Sequence, residues 1–213
     1  MLTYCLPIIN SHFSQREMSL LPFVSQERRA VIERFRFDES KVLSLYCALL
    51  LRHMICTYTG IKNNELVFDI SKYGKPYLKG YENIDFNISH TKGMAFCAVS
   101  DTSKVGVDTE HIRPIKYNIM KTCFHPKEIE YVERFGDDEH FFEVWTKKEA
   151  YTKYLGTGLT TDITSINVFL KEHDEHLVSF IKDNYIFSVY SDEPQKVQPL
   201  NINIDELIHS FMI

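Results

Sequence analysis

The chain has 213 residues, 44% hydrophobic and 25% charged, enough to bury one large core or two small ones packed together. A formal net charge of −5 excludes the general basic excess of a nucleic-acid binder, while leaving room for a local basic patch. With no CxxC spacing among the five cysteines, no charged leader before an apolar run and no stretch near ~18 uninterrupted apolar residues, a reduced, cytoplasmic, non-membrane protein is expected.

Residues 1–10 read as a short apolar strand ending near Asn10-Ser11. Ser25 is placed to cap an amphipathic helix running to Phe37, and a more apolar helix follows over Glu39–Tyr58, stopped by Gly60. Leu66–Ile70 predicts a strand, Tyr73–Tyr77 a turn, and Ile84–Ile88 and Met94–Val99 two further strands. Lys104–Glu110 predicts a strand whose end carries carboxylates. Pro126, after His125, opens a helix that contains Glu128 and Tyr131; Asp137 caps the next, which Gly156 halts after about Leu155. From Ile163 to Ile213 the chain is rich in β-branched residues and broken at Asp183-Asn184 and Glu193-Pro194, which predicts several antiparallel strands and a final short helix near Asp205–Phe211.

Four clusters carry chemistry. In Gly106-Val107-Asp108-Thr109-Glu110, a strand would turn Asp108 and Glu110 to one face. Two carboxylates held together repel unless a cation or a shared proton compensates, and oxygen-only ligation suits Mg²⁺; a solvated acidic loop has the same composition. In Trp145–Lys153, helical spacing sets Trp145, Glu149 and Lys153 on one stripe, and the large aromatic implies that this stripe meets the protein body. The alternative is a surface Glu–Lys pair. Phe86–Gly93 runs from an apolar strand into Ser89, His90, Thr91 and Lys92, donors on a predicted turn that suits an anion. Its Ser–His pair also admits an acyl hydrolase, although no GxSxG elbow is present. Gly74-Lys75-Pro76 fixes a turn and with it the direction of Lys75, as a phosphate contact or an ordinary surface turn requires.

Taken in order, these blocks resemble the signature of the 4′-phosphopantetheinyl transferase superfamily, and most closely its surfactin-synthetase-activating type, over roughly residues 1–190. The F-N-I-S-H-T and W-T-x-K-E-A-x-x-K strings are the specific ones. The resemblance implies an α+β fold of two α/β halves related by a pseudo-twofold axis, each a small antiparallel sheet packed on helices. The halves fall at 1–102 and 103–213 of a monomer, with coenzyme A in the cleft between them. It implies a Mg²⁺-dependent transfer of 4′-phosphopantetheine from coenzyme A to a serine of an apo peptidyl or acyl carrier protein, releasing 3′,5′-ADP. Carried over by residue, Asp108, Glu110 and Glu149 match magnesium ligands. Glu149 is also the implied base and Lys153 the implied acid, while Arg28, Ser44, Lys75, Ser89, His90 and Lys153 match coenzyme A contacts. Glu128 becomes a candidate accessory residue. The chain departs from relatives at Val31, where a second basic residue is common and whose role would pass to Arg28 or Arg29, and at Thr109, usually aliphatic and expected to face away from the metal. Acidic carriers would find Lys116, Lys121 and Lys127, interleaved with apolar residues, in Arg113–Lys127. A non-catalytic coenzyme A binder is the alternative from another functional class.

Overall fold

The computed structural model describes residues 1–157, 162–193 and 196–212. In chain order these form β1 (Leu2–Pro7), α1 (Gln15–Leu20), α2 (Gln26–Arg34), α3 (Asp38–Thr59), β2 (Phe68–Ile70), β3 (Pro76–Leu78), β4 (Asp85–Thr91), β5 (Met94–Ser100) and β6 (Val105–His111). There follow α4 (Met120–Cys123), α5 (Pro126–Phe135), α6 (Asp138–Leu155), β7 (Leu177–Lys182), β8 (Tyr185–Ser191), β9 (Leu200–Asn201) and α7 (Ile204–His209). The result is an α+β fold with a four-stranded sheet in the order β4-β5-β1-β9, a three-stranded sheet β6-β8-β7 and a small β2-β3 hairpin.

Strand β5 is buried along its whole length because both of its faces are covered. Ala95, Cys97 and Val99 join the core under α3, together with Leu45, Leu49 and Met54. Met94, Phe96 and Ala98, on the other face, pack against Val105, Val107, Phe187 and Val189 of β6 and β8. This second core locks the two main sheets together. A third core gathers Phe124, Val132, Phe141, Phe142 and Ile186 beneath α5 and α6. Helix α3 has the length and hydropathy of a membrane span, yet its buried residues belong to the first core.

Both long helices end as their glycines dictate: Gly60 and Gly156 take φ of 76° and 65°, the left-handed region. Asp137 caps α6 by accepting the His140 amide, as expected. Where β4 and β6 run side by side, alternate side chains of β4 reach across. Asp85 Oδ2 accepts the Val105 amide at 2.7 Å and Asn87 Oδ1 accepts the Val107 amide at 2.9 Å.

Several expectations change. Strand β4 continues through Thr91, since residues 85–91 pair with 94–100, so Ser89, His90 and Thr91 lie on a strand and only Lys92-Gly93 turns. The 73–77 turn runs into β3 at Pro76. Of the final strands, β7 and β8 are antiparallel, joined at Asp183 and Asn184 with φ of 51° and 63°, whereas β9 pairs in parallel with β1. The predicted break at Glu193-Pro194 falls partly outside the described residues, because Pro194 is not among them. Residues 113–127 form a 3₁₀ turn at Tyr117–Ile119, α4 and the first residues of α5. Helix α1, capped reciprocally by Ser14 and Glu17, was not expected. The last segment returns to the first sheet, where Ile202 and Leu207 enter the α3 core.

Candidate active site

The site begins at Gly106. A Cβ there would stand 2.0 Å from the Ala150 carbonyl oxygen and 2.3 Å from the Tyr154 amide nitrogen, so α6 crosses β6 directly over this residue. Period-two alternation then turns Asp108 toward the same helix, and Thr109, 1% exposed, to the opposite face as expected. On α6, Glu149 and Lys153 are separated by one turn and come to the carboxylates of β6.

Lys153 Nζ lies 2.6 Å from Asp108 Oδ1 and 3.1 Å from Ser89 Oγ, while Ser89 Oγ donates to the same Asp108 oxygen at 2.6 Å. Asp108 is only 5% exposed, and its second oxygen, Oδ2, is buried without a partner. Burial raises the proton affinity of Asp108, against the opposing pull of Lys153 and Ser89. Glu149 is also pushed up, first by burial and then by the negative charge of Asp108, with Lys153 opposing and Glu110 adding to the effect. Mutual repulsion among three carboxylates is therefore a property of the fold. Glu110 is held by Thr91 Oγ1 at 3.1 Å and by Arg113 Nη1 at 2.8 Å, both on Oε2.

Among the described residues, no three His, Cys, Asp or Glu side chains form a ready-made metal-holding group. The donor set nevertheless fits a hard cation: all three are carboxylates, and a buried oxygen of Asp108 lacks any partner. Lys153 now supplies the positive charge beside Asp108.

The remaining candidates surround this centre. A pocket of about 280 Å³ is lined by Tyr73, Lys75, Ile88, Glu149, Lys153 and Gly156, among others. Lys75 Nζ is engaged there by Asp85 Oδ2 at 2.7 Å and the Val105 carbonyl at 3.1 Å. A larger cavity of about 720 Å³, beside Leu43, Lys92, His111 and Tyr185, includes none of the candidate site residues. His90 lies on the face of β4 opposite Ser89, which rules out a Ser–His catalytic pair; Ser89 itself donates to a carboxylate. Desolvation by surrounding protein, followed by the Lys153 charge, holds the His90 imidazole below its usual range. Arg28 is exposed on α2, which packs against α3, the helix that carries Ser44. Val31 is 40% exposed, and the neighbouring Arg29 has a buried Nε without a partner.

Glu128 has no place in the carboxylate cluster. Fully buried, it pairs with Lys148 Nζ at 2.6 Å and accepts the amides of His125 and Val168, fixing α5 to α6. Sequence reasoning missed Asp85 and Asn87, and it missed the roles of Thr91 and Arg113, which it took for an anion donor and the edge of a docking segment rather than partners of Glu110. The signal for Asp85, Asn87 and the facing of Thr91 was the alternation Asp85-Phe86-Asn87-Ile88-Ser89-His90-Thr91, polar at every second position.

Residues 104–204 match the model of the 4′-phosphopantetheinyl transferase superfamily, and residues 12–102 match that of the 4′-phosphopantetheinyl transferase N-terminal region. The chain is 32% identical over 171 residues to the 4′-phosphopantetheinyl transferase psf-1 of Bacillus pumilus, covering 78% of this chain and 72% of that protein. It is 29% identical over 175 residues to the 4′-phosphopantetheinyl transferase Sfp of Bacillus subtilis strain 168, covering 76% and 77%. A third similarity, 29% over 175 residues and covering 73% and 68%, is to the L-aminoadipate-semialdehyde dehydrogenase-phosphopantetheinyl transferase of Schizosaccharomyces pombe.

Proposed function

Since this chain belongs to the 4′-phosphopantetheinyl transferase superfamily, in its surfactin-activating branch, and is a transferase, we propose that it moves 4′-phosphopantetheine from coenzyme A to a serine of an apo peptidyl or acyl carrier protein. The observation that carries this reading is the cluster of Asp108, Lys153 and Ser89, with Glu149 beside it, at the pocket lined by Lys75, Glu149 and Lys153.

In the proposed reaction the serine oxygen bonds to the β-phosphorus, the bridging P–O bond breaks, and 3′,5′-ADP leaves. Alignment and charge stabilisation account for most of such a transfer. Mg²⁺ held by Asp108, Glu110 and Glu149 would supply neutralisation of the diphosphate charge. Glu149 takes the serine proton; burial and the neighbouring Asp108 both increase its affinity for one. Lys153 stands one turn further along the helix and donates to the departing phosphate. Arg28 and Ser44 meet the 3′-phosphate end, while His90 and Lys75 hold the coenzyme A phosphates, Lys75 by exchanging Asp85 for a phosphate oxygen.

An acidic carrier is received by residues 113–127, where Lys116, Ile119, Lys121 and Lys127 are exposed while Met120, Cys123 and Phe124 anchor the segment from below. We place this reaction in the reducing cytoplasm, consistent with five free cysteines.

Incubation with coenzyme A, Mg²⁺ and a panel of apo carriers, followed by intact mass, tests the proposal. A gain of one phosphopantetheinyl mass is expected on at least one carrier, and none with Glu149→Gln. No gain on any carrier sinks the reading; full loading by Glu149→Gln removes that residue from the chemistry.

A further inference from the structure

Two carboxylates of β6 are met by two hydroxyls of β4. Ser89 reaches Asp108, and Thr91, two residues on, reaches Glu110 at 3.1 Å. In each case the hydroxyl engages a single oxygen. Glu110 Oε2 takes both Thr91 Oγ1 and Arg113 Nη1, which leaves Oε1 as its unclaimed oxygen. The two anchors differ in kind. Thr91 belongs to β4, whose position is fixed by seven paired residues against β5. Arg113 lies outside the sheet, half exposed, tied to the His111 carbonyl at 2.8 Å and lying over the Phe142 ring at 4.8 Å. Both contacts fall on the same oxygen, and of the two the strand-borne hydroxyl is the one held by a paired backbone.

We propose that Thr91 is a positioning residue for the transfer, fixing Oε2 of Glu110 so that its other oxygen is left for the cation shared with Asp108 and Glu149. This rests on the Mg²⁺ reading above. Partners that orient a ligand typically change metal affinity by about 10–100-fold when removed. Valine is the sharp substitution because it keeps the β-branched shape that a strand prefers while deleting the hydroxyl.

The test is Mn²⁺ binding followed by electron paramagnetic resonance in the presence of coenzyme A, alongside thermal melting. Thr91→Val is expected to raise the Mn²⁺ dissociation constant about 10-fold at an unchanged melting temperature, with Thr91→Ser restoring it. Turnover should show the same split: a higher Mg²⁺ requirement, with the rate recovered at saturating Mg²⁺. Wild-type Mn²⁺ affinity in Thr91→Val would overturn the inference while leaving the metal reading intact. Absence of Mn²⁺ binding by the parent protein, or its persistence in Asp108→Asn, would overturn both.

Discussion

At the scale of single residues, the cluster is built against its own stability. Asp108 and Glu149 each have a proton affinity raised above that of an unfolded chain, mainly by burial. Above the raised value both groups are ionised in the folded and unfolded protein, and the folded one bears the cost. As pH falls, the folded form takes up protons first and stability recovers, down to the ordinary carboxylate values of 3.8 and 4.5. Glu149→Gln should therefore melt at a higher temperature than the parent in EDTA at pH 7.5. The margin should be smaller at pH 5 than at pH 7.5, because the raised proton affinity of Glu149 makes the folded parent take up its proton before the unfolded chain does. A lower melting temperature for the variant at both pH values would contradict this. The gain in stability and the loss of transfer would then come from one substitution, as expected where a site is strained for function.

At the scale of elements, the meeting of β6 and α6 decides whether the cluster exists. Gly106→Ala would drive a methyl group into the α6 backbone, and no side chain can give way there because the obstructing atoms belong to the main chain. Overpacking of this sort typically costs about 1–3 kcal/mol, and displacement of α6 would separate Lys153 from Asp108. We expect a lowered urea midpoint together with loss of transfer; unchanged values for both would refute the close approach. The sequence made half of this visible. Strand alternation sets Asp108 and Glu110 on one face, and a four-residue helical step sets Glu149 over Lys153. What no local pattern contains is that Gly106 lies under Ala150 and Tyr154, because that contact joins segments about forty residues apart. The turn expected after Ile88 hid which way Thr91 faces and that it meets Glu110. Pairing with β5 carries the strand three residues further, up to a reversal at Gly93 with φ of 83°. The motif around Glu128 was legible as a block but not as a role, since only burial beside Lys148 identifies a structural ion pair.

At the scale of the whole molecule, the two main sheets are joined by an apolar core and by a seam of side-chain acceptors. Phe96 and Val107 belong to the core; Asp85 and Asn87 make the seam. Asn87→Ala would leave the buried Val107 amide without an acceptor, at a cost of about 1–3 kcal/mol. Hydrogen exchange should report it, with faster exchange at Val107; protection equal to the parent's would argue that the seam is dispensable. The final segment carries the longest-range contacts. Strand β9 pairs with β1, and α7 lies on α3, where Ser210 Oγ is 2.9 Å from His53 Nδ1 and Asp205 bridges to Arg16. During translation, then, the first hundred residues leave the ribosome without the edge strand and helix that complete their own layer. Those are made only about a hundred residues later, so the nascent amino-terminal portion waits in a partly uncovered state until these neighbours emerge.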